Sequence, residues 1–144
     1  MLVAQILKSK SDDGVVTVQP DATLASVAEL LSSRKIGAVV VSADGKHVAG
    51  ILSERDIVRE LGKRGPGCLT DTVASVMTAR VVTCTRGDDA QVVLQKMTDG
   101  RFRHLPVVEG AEMVGLISIG DVVKARLAEL AMEKDALEGM IKGF

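Results

Sequence analysis

Two nine-residue segments of this 144-residue chain read nearly alike: Gly50-Ile51-Leu52-Ser53-Glu54-Arg55-Asp56-Ile57-Val58 and Gly115-Leu116-Ile117-Ser118-Ile119-Gly120-Asp121-Val122-Val123. Each runs glycine, two aliphatics, serine, two variable residues, aspartate, two aliphatics. The likeness extends upstream, where residues 15–21 match 81–88 and residues 35–41 fall against 102–108. Elements recurring in one order over such a span mean a duplicated unit, and a duplicated unit presents two similar faces between which something can be held.

The local pattern predicts the same elements in each copy. Val15 to Val18 and Val81 to Thr83 are β-branched runs that read as strands, each meeting a turn that ends in Asp21 or Asp88 and suits the start of a helix. Leu24, Val27, Leu30 and Leu31, and in the second copy Val93, Leu94 and Met97, recur at three- and four-residue steps and share one helical face. These helices are expected to end near Ser33 and Asp99, with Gly100 as a stop. Apolar runs flanking Asp44-Gly45 and Glu109-Gly110 predict hairpins, Ala38 to Ser42 with Val48 to Leu52 and Leu105 to Val108 with Met113 to Ile117. Each hairpin leads into a second helix at Ser53 or Ser118.

The expected fold class is therefore α/β (α+β): two tandem β-α-β-β-α repeats packed into one pseudo-twofold module, with an extended C-terminal helix. Residues 1–65 form the first repeat with its N-terminal segment, 66–75 a linker, 76–126 the second repeat and 127–144 the helical extension. Gly62-Lys63-Arg64-Gly65-Pro66-Gly67 reads as flexible, and Asp71 to Thr78 as one short helical turn. The last helix runs from Asp121 toward Lys142. Its Val123, Leu127, Leu130, Leu137 and Ile141 form a stripe that either meets a partner helix, giving a homodimer, or packs on the chain's own core.

Composition narrows the functions. A hydrophobic fraction of 47% predicts a folded core, and a formal net charge of -1 argues against a nonspecific grip on nucleic acid or an anionic membrane. With aromatics at 1% and no Trp or Tyr, a base cannot be held by stacking on aromatic platforms. A purine would have to lie against aliphatic side chains and backbone amides. Cys68 and Cys84 fit neither a zinc-ligand set nor a disulfide framework and suit a reducing compartment. The first eight residues lack the basic and apolar regions of a secretory signal, and no apolar run approaches membrane-spanning length, so the protein is expected to be cytoplasmic.

Ser53 with Asp56, and Ser118 with Asp121, are spaced as a serine N-cap and an acidic third helical residue. One reading is a capping box, in which serine accepts from a helix amide and the carboxylate reaches back to the cap's N–H. The other is a ligand site. Both copies use Asp where Glu is the commoner capping-box residue, and a short carboxylate at a helix start can accept from a vicinal diol such as that of ribose. The same helix N-terminus, with free amides and the positive dipole end, receives phosphate. Arg101, Arg103 and His104 form the densest basic cluster, with Arg80 and Arg86 before them; as a clamp for phosphate oxygens the guanidinium is well suited, and as solvated surface it contributes little.

The repeated G-[IL]-[LI]-S-x-x-D-[IV]-V, the run Phe102-Arg103-His104-Leu105-Pro106-Val107-Val108 and Val76-Met77-Thr78 resemble the CBS-domain family, and two in tandem resemble a Bateman module. The resemblance covers about residues 1 to 126. It implies a flattened module with two clefts, often a disc-shaped dimer, binding AMP, ADP, ATP, and in some members NAD or S-adenosylmethionine. It further implies that Asp56 and Asp121 hold ribose hydroxyls while Ser53 and Ser118 support ribose or phosphate. Adenine would lie against Val16, Thr17 and Val18, or Val82 and Thr83, near Met77 and Thr78. Ile36, Gly37, Ala38 and Val39, or His104, Leu105 and Pro106, would form the other wall. The first copy departs from the family by placing Gly37 and Val39 where His104 and Pro106 stand. Because the second copy alone combines Gly120 with Arg101, Arg103, His104 and Pro106, the stronger site is expected around Asp121.

The resulting expectation is a nonenzymatic regulatory module that binds an adenine nucleotide and signals in trans to a protein partner. The alternative is an interaction module with degenerate clefts that dimerises through its last helix. An enzyme acting on nucleotides finds no P-loop, metal-ligand set or paired acid and base in the sequence.

Overall fold

The computed structural model describes residues 1–10 and 14–142. In chain order these form α1 (Val3–Ser9), β1 (Thr17–Val18), α2 (Leu24–Arg34), β2 (Ala38–Val41), β3 (Gly50–Ser53), α3 (Glu54–Arg64), a 3-10 helix (Pro66–Thr70), α4 (Val73–Val76), α5 (Ala90–Gly100), β4 (His104–Glu109), β5 (Glu112–Ser118) and α6 (Ile119–Ile141). Helix α6 carries the expected extension, whose last two residues lie outside those described.

Corresponding helices start and stop by the same devices. Thr23 accepts from the Ser26 amide to cap α2, and Asp89 accepts from the Gln91 amide to cap α5, so both helices begin just after the expected Asp21 and Asp88. Both end on a left-handed residue, Lys35 at φ 54° and Arg101 at φ 57°. Gly100, expected as the stop, is instead the last helical residue. It is small because a Cβ there would overlap the Phe102 ring, which folds back across the helix end.

Each copy builds its own small sheet. In the first, β1 runs parallel to β2 and β2 antiparallel to β3, pairing Ala38 with Ser53 through Val41 with Gly50. In the second, β4 and β5 pair His104 with Ser118 through Glu109 with Glu112. The strand expected at Val81 to Thr83 is absent. Thr78 bridges Ile51 of the first sheet and Cys84 bridges Val107 of the second, so the residues between them cross from one sheet to the other and cannot pair along either.

Two hydrophobic clusters lie under these sheets, and the leading helices are exchanged between them. Helix α1 opens the chain, yet Val3 and Ile6 are buried with Val93, Met97, Leu105 and Ile117 of the second repeat. Helix α4, which leads into the second repeat, buries Val73 with Leu24, Val27, Val39 and Leu52 of the first. The backbone repeats the exchange bond for bond. Val3 N–H donates to Asp88 O at 2.9 Å as Val73 N–H donates to Ala22 O at 2.7 Å, and Ala4 to Arg86 at 3.0 Å as Ala74 to Pro20 at 3.0 Å.

The segment expected to be a flexible linker is ordered secondary structure. Helix α3 continues to Arg64, and the 3-10 helix follows with buried Cys68. Arg64 pairs with both Glu60 at 2.7 Å and Asp71 at 2.6 Å, fastening the connection to the helix before it.

Helix α6 attaches to the second core through Val122 and Ala125. Its stripe faces away: Leu127 is 62% exposed, Leu137 59% and Ile141 85%. Packing of the stripe on the chain's own core is therefore excluded.

Candidate functional site: two clefts between the repeats

The serine that ends each hairpin also caps the helix that follows. Asp56 N–H donates to Ser53 Oγ at 3.3 Å, while Ser53 N–H donates to Asp56 Oδ2 at 2.8 Å. Asp121 N–H donates to Ser118 Oγ at 3.1 Å, and Ser118 N–H to Asp121 Oδ2 at 2.9 Å. Both pairs are thus true capping boxes. Capping leaves carboxylate capacity over. Asp56 Oδ1 meets only the exposed Arg59 guanidinium, at 3.2 Å, and Asp121 Oδ1 has no hydrogen bond from the described residues.

Each capping box opens into a cleft whose walls come from both repeats. The Asp56 cleft, about 300 Å³, takes Ser53, Asp56 and Arg59 from the start of α3, Thr78 and Arg80–Val82 from the crossing segment, and residues 100–104 from the α5–β4 turn. The Asp121 cleft, about 400 Å³, takes Ser118 and Asp121 from the start of α6, Gly14, Val15 and Val16 from before β1, and Arg34 with Ile36–Ala38 from the α2–β2 turn. Gly37 and His104 line both clefts. An ideal Cβ on Gly37 would lie 3.4 Å from the His104 ring, ordinary van der Waals contact, so the two residues lie side by side.

Electrostatically the clefts differ. Lys10 reaches into the Asp121 cleft and donates to Asp121 Oδ2 at 2.9 Å and Leu116 O at 2.8 Å. Burial alone would push the Asp121 carboxyl up, but the Lys10 and Ser118 hydrogen bonds outweigh it and hold the group below the ordinary carboxylate range. Burial pushes His104 below the usual histidine value, against the pull of Asp121 and Glu54 and with help from Lys10 and Arg103. The imidazole is accordingly neutral at neutral pH.

Several expected site residues converge on the clefts: Ser53, Asp56, Thr78, Val82, Arg101 and Arg103 on one, Val16, Ile36, Ala38, Ser118 and Asp121 on the other, Gly37 and His104 on both. Others line neither cleft. Thr17 and Val18 pair in β1; Val39, Leu105 and Pro106 are buried in strands; Met77 packs on the first core; the Thr83 carbonyl accepts from Lys96 at 3.2 Å. Gly120 is exposed at the start of α6, where a Cβ would meet only Ser118 Oγ at 3.6 Å.

Two corrections bear on function. Arg101 and Arg103 line the Asp56 cleft, not that of Asp121, because each cleft joins a helix start of one repeat to the turn of the other. The structural equivalence of the two turns is also shifted by one residue from the sequence pairing. Glu54 N–H donates to Gly37 O as Ile119 N–H donates to Arg103 O, so Gly37 matches Arg103, Ala38 matches His104 and Val40 matches Pro106.

The CBS domain family matches residues 3–63 and 73–128, the greater part of the chain and both copies of the unit. The chain belongs to the CBS-domain family. As a CBS pair it is 32% identical over 148 residues to a mitochondrial CBS domain-containing protein of Arabidopsis thaliana, covering 98% of this chain and 72% of that one. A crystal structure of a CBS-domain containing protein from Agrobacterium tumefaciens shares 46% identity and superposes with a TM-score of 0.83, over 88% of this chain and 99% of the other. A CBS domain protein from Pyrobaculum aerophilum, solved in complex with AMP, shares 28% identity with a TM-score of 0.76, over 92% of this chain and 99% of that one.

In this CBS pair the lining residues not foreseen from sequence include Arg55, Arg59 and Glu54 in the Asp56 cleft, and Lys10, Val15 and Arg34 in the other. Arg55 and Arg59 had a legible signal, since their four-residue spacing beside Asp56 puts them on one helical face. Lys10 had none, because its partner lies 111 residues away. No helix of the described residues is long and apolar enough to cross a membrane, and no group of three or more His, Cys, Asp or Glu among them is placed to hold a metal ion.

Proposed function

We propose that this CBS pair is a nonenzymatic regulatory module that takes an adenine nucleotide, AMP, ADP, ATP or NAD, into its clefts and signals energy or redox state to a protein partner in trans. The observation that carries this reading is the repeated capping box lining a cleft of nucleotide size, whose cap engages one aspartate oxygen and leaves the other to the exposed Arg59 at Asp56 and without a hydrogen bond from the described residues at Asp121. Asp56 and Asp121 would accept from ribose hydroxyls, the amides at the start of α3 and α6 would receive phosphate, and Val82 or Val16 with Ile36 would flank the base. The AMP complex of the Pyrobaculum protein supports the ligand class. Because both repeats wall each cleft, an occupant that prefers one packing of the repeats shifts their equilibrium, which a partner surface can read. The two buried, free cysteines suit a reducing compartment such as the cytoplasm.

Calorimetry with AMP, ATP, NAD and S-adenosylmethionine on extensively dialysed protein tests the reading. At least one should bind, and Asp56→Ala or Asp121→Ala should weaken it about tenfold or more, the loss of a hydrogen bond to a charged group. Binding by none of the four refutes it.

The exposed stripe on α6 favours a second reading, in which the last helix associates with a second copy. Val123, Leu127, Leu130, Leu137 and Ile141 are all at least 42% exposed. Truncation after Ala128 is expected to convert a dimer to a monomer in sedimentation equilibrium; an unchanged mass with the full chain dimeric places the interface elsewhere.

A further inference from the structure

The two clefts share their carboxylate geometry but not their charge. The Asp56 cleft is lined by five arginines, Arg55, Arg59, Arg80, Arg101 and Arg103, against two carboxylates, Glu54 and Asp56, a surplus of three positive charges. Among the described residues only Arg59 of the five has a carboxylate within 4.0 Å. In the Asp121 cleft, Lys10 and Arg34 stand against Asp121, and Lys10 is already paired with it at 2.9 Å. The surplus in the first cleft belongs to a chain of net charge -1, so it is local.

Unpaired guanidiniums gathered around one hollow repel each other, and the repulsion is relieved by an anion that several of them reach at once. They come from three separate elements, the start of α3, the crossing segment and the α5–β4 turn, so the positive charge is distributed around the cleft wall. A phosphate monoester carries about two negative charges at most and leaves the surplus unmatched. Linked phosphates supply both the charge and the length.

We infer that the Asp56 cleft is a polyphosphate site, selective for a nucleotide bearing two or more linked phosphates, whereas the Asp121 cleft takes ligands of lower charge. The inference rests on the adenine-nucleotide reading above for the nucleoside, and on the arginines alone for the phosphates. Asp56 would anchor the ribose, with the chain of phosphates running from the start of α3 toward Arg80 and Arg103. Lys10, by neutralising Asp121, sets the lower charge demand of the other cleft.

Titration calorimetry with AMP, ATP and inorganic tripolyphosphate, without divalent cations, tests this on the wild-type chain, on Arg80→Met/Arg103→Met and on Arg34→Met, with melting curves to verify folding. ATP should bind the wild type at least about tenfold more tightly than AMP. That preference should fall to about threefold or less in the double variant and persist in Arg34→Met. Equal binding of AMP and ATP, or a preference that survives loss of both arginines, overturns the inference and leaves the adenine-nucleotide reading standing. Arginine-dependent tripolyphosphate binding with no binding of either nucleotide upholds the polyphosphate site and overturns the adenine reading.

Discussion

Gly50→Val is expected to lower stability by about 2–4 kcal/mol and to remove ligand binding from the Asp56 cleft. A Cβ at this glycine would lie 2.9 Å from the Thr78 carbonyl oxygen and run into the Met77 side chain. Thr78 cannot simply retreat. Its N–H and carbonyl are both bonded to Ile51, each at 3.0 Å, and these bonds dock the crossing segment onto the edge of β3. Displacing Thr78 would break that bridge and move Arg80, Val81 and Val82, one wall of the cleft. The three atoms nearest a Cβ at the corresponding Gly115 all belong to the Leu7 side chain, the closest at 2.9 Å, and a flexible side-chain end can rotate aside. Gly115→Ala should therefore cost markedly less. Urea unfolding of both variants, with calorimetry on the folded fractions, is the measurement; wild-type stability and binding in Gly50→Val would show that the bridge does not hold the wall.

Ile6→Ala should cost about 2–4 kcal/mol, and the loss should appear in the repeat that does not contain it in sequence. Ile6 is 2% exposed and lies among Val93, Met97, Leu105 and Ile117. The helix that carries it is held by the Val3–Asp88 and Ala4–Arg86 hydrogen bonds and by the Ala90 amide, which donates to Met1 O at 2.9 Å. A cavity here removes contacts from α5, β4 and β5. Hydrogen exchange should show lost protection in those elements first, with β2 and β3 of the first repeat following only in global unfolding. Leu127→Ala, a comparable truncation at a 62% exposed position, is the control and should leave monomer stability within about 0.5 kcal/mol. Protection lost mainly from β2 and β3 would contradict the exchange of α1.

The capping boxes and hairpins were readable because their signals are local. Ser53 and Asp56 are three residues apart, and the turn after Ser42 depends on Asp44 and on Gly45 at φ 76°, all within a short stretch. The turn equivalence was not readable. Gly37-Ala38-Val39-Val40-Val41 and Arg103-His104-Leu105-Pro106-Val107 can be laid side by side in either of two ways at similar apolar match, and only the hydrogen bonds of Gly37 O and Arg103 O choose between them. The Val81 to Thr83 strand failed for a related reason. Its β-branched residues favour extended backbone wherever they lie, but pairing needs a partner strand, and here the chain is crossing between two sheets.

What the sequence determined by itself is the duplicated helix-hairpin-helix unit, with its leading strand formed only in the first copy, the helix that continues past it, the serine-aspartate caps and the resemblance to the CBS family that these motifs carry. The elements and caps follow from periodicity and spacing within a few turns of chain, and the family from the likeness of its motifs. Only the tertiary structure decided that α1 and α4 trade cores, that Lys10 neutralises Asp121, and that the arginines of the second repeat converge on the aspartate of the first. Those outcomes depend on residues far apart in the chain, 45 positions for Asp56 and Arg101 and 111 for Lys10 and Asp121. Such meetings are set by closing both apolar cores and satisfying the backbone at once, a condition on the whole molecule that leaves no trace in any single segment.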